Sequence, residues 1–79
     1  LTKRRWLMLQ TDFINEILGP YKVSYEDCVP QDELKSIMRY IDTDHSYACS
    51  VKILAFGNYY KVQLFNNVDM LINEFKCHF

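Results

Sequence analysis

The residues of this 79-residue chain best equipped for chemistry are three cysteines, two histidines and a few clustered acids, and their spacing gives them little to do. Cys28 follows Glu26 and Asp27, so neighbouring negative charge opposes its thiolate and makes it a poor nucleophile. Asp42, Asp44 and His45 lie close enough to share a cation. A calcium loop, however, needs further oxygen ligands and a glycine at its bend, and both are missing. Cys77 and His78 lack the second pair of ligands that a zinc site requires. The expectation is a non-catalytic chain with no metal and no cofactor.

Two constellations point instead to binding. Lys3, Arg4 and Arg5 precede Trp6, and basic groups beside an aromatic ring can meet phosphates or an acidic partner. As residues opening a helix they would stand at the unfavourable end of its dipole, so a contact elsewhere would explain them better. The second is the run from Tyr47 to Phe65, where two strand-like segments flank Gly57-Asn58, a pair suited to a two-residue hairpin turn. Pairing Phe56 with Tyr59 sets Ala55 opposite Tyr60, Ile53 opposite Val62 and Val51 opposite Leu64, all on one core face. The other face then carries Ser50, Lys52, Leu54, Phe56, Tyr59, Lys61, Gln63 and Phe65. This mixture is too apolar for a simply solvated surface and too polar for a core. Its aromatic and lysine content resembles single-strand RNA-binding sheets in composition, but the Gly-aromatic signature of those sheets is absent. The alternative is that the first helix or a partner chain covers it.

The elements that must position these residues follow from periodicity. Trp6, Leu9, Phe13, Ile14, Ile17 and Leu18 recur at helical steps, and Gly19-Pro20 reads as the stop, predicting a first helix from Thr2 to Leu18. Tyr21, Val23 and Tyr25 alternate as in a short strand. Pro30 and the acids after it open a second helix, with Leu34, Ile37, Met38 and Ile41 as its apolar stripe. It should stop in the polar run from Asp42 to Ser46. After the hairpin, Asn66 or Asn67 could cap a third helix carrying Val68, Leu71, Ile72, Phe75 and Phe79 on one stripe.

Together these predict a single α+β domain spanning 1–79, three helices on a small, mainly antiparallel sheet built around the hairpin, in the order α-β-α-β-β-α. Composition agrees with one small globular unit: 49% apolar, 24% charged, net charge -1, and only 2 Gly and 2 Pro. The near-neutral balance argues against a partner held by bulk electrostatics. An odd cysteine count without C-x-x-C spacing argues for a reducing compartment, cytoplasmic or nuclear. No run approaches the roughly 18 apolar residues needed to cross a bilayer. A start without Met and an end on Phe79 read as those of a fragment. The expected function is protein interaction, with another protein or a second copy of itself, through Phe56, Tyr59, Phe65, Leu54, Lys52, Lys61 and Gln63, with Trp6, Arg4 and Arg5 as a further contact. Nucleic-acid binding through the same hairpin face is the alternative, and no membrane partner is expected.

Overall fold

Strict alternation in Tyr21-Lys22-Val23-Ser24-Tyr25 and in the two arms around Gly57-Asn58 produces strands buried on one face only. The computed structural model describes residues 12–79. In it β1 (Phe13–Leu18), β2 (Tyr21–Glu26), β3 (Ser50–Ala55), β4 (Tyr60–Phe65) and β5 (Leu71–Cys77) form one sheet in sequence order, with α1 (Gln31–Asp44) between β2 and β3. Neighbouring strands are antiparallel except β2 and β3, which run parallel with Val23 opposite Val51 and Tyr25 opposite Ile53. Parallel neighbours cannot be joined by a tight turn, and α1 is the crossover that this pairing demands.

The crossover helix seals the core. Pro30 stands at its N-cap, Asp32 and Glu33 lie in its first turn, and the His45 N–H closes it on the Ile41 carbonyl. Leu34, Ile37 and Ile41 are buried with Tyr21, Val23, Tyr25, Val51, Ile53, Val62 and Leu64 in one cluster. The hairpin has the expected register, Ile53 opposite Val62 and Val51 opposite Leu64, and it closes through Phe56 N–H donating to the Tyr59 carbonyl at 2.9 Å.

Two expected helices are strands where the structure describes them. Residues 13–18 of the expected first helix form β1, which pairs with β2. Gly19-Pro20 does not terminate a helix but turns a hairpin: Gly19 has φ 62°, and proline's fixed φ near -65° suits the position after it in a primed two-residue turn. The part of that helix before Asp12, with Arg4, Arg5 and Trp6, lies outside the described residues. The expected last helix is β5. Asn66 does accept hydrogen bonds from early N–H groups, those of Val68 and Met70 at 2.9 and 3.0 Å, but it does so within a turn. Asp69 there adopts φ 61°, which no helix can contain. Among the described residues the architecture is therefore one helix on a five-stranded mixed sheet, and the arrangement of three helices on a small sheet is corrected accordingly.

Burial separates the two faces of the hairpin. Ile53 is fully enclosed, whereas Leu54 is half-buried on the face away from α1. In urea melts, Ile53→Ala should therefore lower stability by about 2 to 5 kcal/mol through lost burial and a residual cavity, and Leu54→Ala by distinctly less. Equal losses would contradict this division of the sheet.

Candidate functional site

Among the described residues one helix covers one face of the sheet, and the alternation that buries Tyr21, Val23 and Tyr25 turns Lys22 and Ser24 the other way. The same holds for Ser50, Lys52 and Leu54 on β3 and for Lys61, Gln63 and Phe65 on β4. The helix-free face thus gathers the expected hairpin residues. Lys52, Leu54, Lys61, Gln63 and Phe65 are half-buried in the strands, and Phe56 and Tyr59 lie at the turn, with Phe56 exposed and Tyr59 half-buried. Phe56 and Tyr59 stack with ring centres 5.1 Å apart.

The lysines of this face lie on its rings. Lys52 Nζ is 5.1 Å from the centre of Phe13, Lys61 Nζ is 5.6 Å from Phe56, and Lys76 Nζ is 4.8 Å from Tyr59. Such contacts hold the ammonium heads close to the sheet. Two carboxylates of this face are engaged: Glu26 accepts the Ala55 N–H at 2.6 Å and Glu74 accepts from Gln63 at 3.1 Å. Glu74 also pairs with Lys61 at 3.7 Å, the one ion pair among the described residues. Lys22, Lys52 and Lys76 are left without a carboxylate partner.

Between β1 and β4 this face sinks into an open concavity of about 560 Å³, bordered by Ile17, Lys22, Ser24, Lys52, Phe65 and Asp69. Ile17 is 75% exposed, so a large apolar side chain stands mostly uncovered at the rim. Ile17 and Lys22 were not among the expected site residues. The signal existed in the alternation of Phe13, Asn15 and Ile17, but the helical spacing of the same segment masked it.

The helix side has a smaller opening of about 360 Å³ between α1 and the β1–β2 turn, bordered by Leu18, Tyr21, Leu34, Met38 and Arg39. Its polar groups serve the fold: the Tyr21 hydroxyl donates to Asp42 at 3.0 Å and the Tyr60 hydroxyl donates to Glu33, which ties α1 to the sheet near both of its ends. His45 lies 2.7 Å from the Tyr47 hydroxyl and stacks on Phe75. Burial and the Asp42 carboxylate raise the Tyr21 phenol, the Glu16 bond raises that of Tyr25, and burial raises the Cys77 thiol. Each shift favours the neutral form, the opposite of what an activated nucleophile needs. Among the described residues no three His, Cys, Asp or Glu side chains gather as a metal site, and no helix is long and apolar enough to cross a membrane. The chain matches no protein-family model, and neither a curated protein nor a solved structure was found similar to it.

The Tyr60 bond has a measurable consequence. Donation to the Glu33 carboxylate, with some burial, pushes this phenol from its ordinary 10.0 up to about 12. The folded state thus holds the proton more firmly than the unfolded one, so the stabilisation is whole below pH 10 and is lost as pH climbs through 12. Phenolate absorbance should show Tyr60 ionising late, and Tyr60→Phe should flatten part of the alkaline loss of stability. An ordinary phenol titration for Tyr60 would contradict the bond.

Proposed function

We propose that this domain is a non-catalytic protein-interaction module whose helix-free sheet face receives a polypeptide segment bearing apolar side chains flanked by carboxylates. The observation that carries the reading is the concavity bordered by Ile17 and Phe65, with Lys22 and Lys52 beside it and no carboxylate paired to either. An apolar hollow of this kind offers burial to an anchoring side chain, and the unpaired ammonium groups beside it offer charge to acids on either side of that anchor. The aromatic rings support a peptide over a nucleic acid. Bases stack on open ring faces, whereas Phe56 and Tyr59 turn faces toward each other and toward Lys61 and Lys76.

The discriminating experiment titrates the domain with three ligands: an amphipathic peptide of leucines and glutamates, the same peptide with lysines in place of the glutamates, and a uridine oligomer. The acidic peptide should bind, with resonance shifts centred on Ile17, Lys22, Lys52 and Phe65. Phe65→Ala should weaken it by about 1 to 3 kcal/mol while leaving the fold intact. Lys22→Glu with Lys52→Glu should mainly slow association and reduce its salt sensitivity. Binding of the oligomer alone, falling steeply with salt, would replace this reading with nucleic-acid recognition.

A further inference from the structure

The sheet ends in two edges, β1 and β5, and an edge strand carries backbone groups able to pair with another strand. Which groups of β5 point outward follows from the hairpin beside it. The bond from Phe56 to Tyr59 makes that pair hydrogen-bonded. Strict alternation along an antiparallel ladder then commits the backbone groups of Lys61 and Gln63 to β3, and those of Tyr60, Val62 and Leu64 to β5. Their partners on β5, Cys77, Phe75 and Asn73, face inward. Glu74 and Lys76 therefore present their N–H and C=O groups to the open side. One detail agrees: the Glu74 N–H is taken up locally by the Asn73 side-chain oxygen at 2.8 Å.

Side-chain chemistry on this edge is unbalanced. Lys76 stands directly opposite Lys61, a like-charge pair across the ladder, and no carboxylate lies within ion-pair distance of it. Its ammonium rests 4.8 Å from the Tyr59 ring centre, and beyond the edge no described strand pairs with β5.

We propose that β5 pairs antiparallel with β5 of a second copy, Phe75 lying opposite Phe75 at the two-fold axis and Glu74 opposite Lys76 of the second copy, in both directions. This register gives Lys76 the carboxylate it lacks and joins outward-facing backbone groups to one another, the Glu74 N–H exchanging the Asn73 side-chain oxygen for the Lys76 carbonyl of the second copy. Sliding the strand by two residues either way sets Glu74 against Glu74 or Lys76 against Lys76, so the charges select one alignment. The other edge offers no such match. Self-pairing of β1 on a two-fold sets Glu16 against Glu16 or against Ile14. Tyr40 beside Phe75 and Tyr47 beside Asn73, both exposed on the helix side, would extend the β5 contact beyond the strand.

The test is sedimentation of the 79-residue chain across a concentration series, with circular dichroism as the check on folding. The wild-type chain should reach twice its 9.5 kDa mass. Glu74→Lys and Lys76→Glu, each alone, should weaken self-association roughly tenfold, because each replaces both ion pairs with like charges. An equimolar mixture of the two variants should restore the dimer, since one then carries only lysines and the other only glutamates at the facing positions. Asn73→Cys supplies an independent readout. Asn73 and Cys77 of the second copy would face each other as a non-hydrogen-bonded pair, whose Cα separation near 4.5 Å suits a disulfide, so mild oxidation should yield a covalent dimer. A wild-type chain that stays monomeric into the high micromolar range overturns the proposal. So does a dimer that both charge variants leave untouched, because its interface would lie elsewhere.

Discussion

The parallel pairing of β2 with β3 is the constraint on which the rest of the molecule depends. Two parallel strands place the end of one far from the start of the next, so the chain must cross over, and the crossing segment must bury a stripe as it goes. Leu34, Ile37 and Ile41 supply that stripe, and Val23, Tyr25, Val51 and Ile53 supply the floor beneath it. The antiparallel hairpins add strands on either side of this unit. One helix cannot reach both edges, so five of the six residues of β1 are exposed and β5 is only partly covered.

Tyrosines settle the polar accounting of this small core. A phenol brings a large apolar ring and a hydroxyl that must find a partner when buried. Tyr21 and Tyr25 place their rings in the core and donate to Asp42 and Glu16 at its margin. Glu26 performs a related service at the end of the parallel ladder, where its carboxylate accepts the Ala55 N–H that no strand residue takes. Among the described residues no buried side-chain polar atom lacks a partner.

The two faces of the sheet are consequently divided in purpose. Folding uses the residues beneath α1, and removing them would open cavities. The face away from α1 carries apolar and aromatic groups that folding leaves half-covered, interleaved with lysines whose ammonium groups lie over the rings of Phe13, Phe56 and Tyr59. On the β5 edge the Asn73 side-chain oxygen holds the Glu74 N–H, a donor that faces away from β4.

Local signals in the sequence were enough for the middle of the chain. Pro30 with its following acids and a stripe of four apolar residues determines α1, and Gly57-Asn58 between alternating arms determines the hairpin, its register and the company kept by Phe56, Tyr59 and Phe65. The segments Phe13–Leu18 and Leu71–Cys77 were different, because their apolar residues suit helical and extended spacing alike. A helix finds its hydrogen-bond partners within its own segment, so a local reading can always supply it. A strand depends on a neighbour that may lie far away in sequence. Only the assembled sheet, with an open edge on β2 for one segment and on β4 for the other, made both of them strands, and with β1 in place it brought Ile17 beside Lys22 and Phe65.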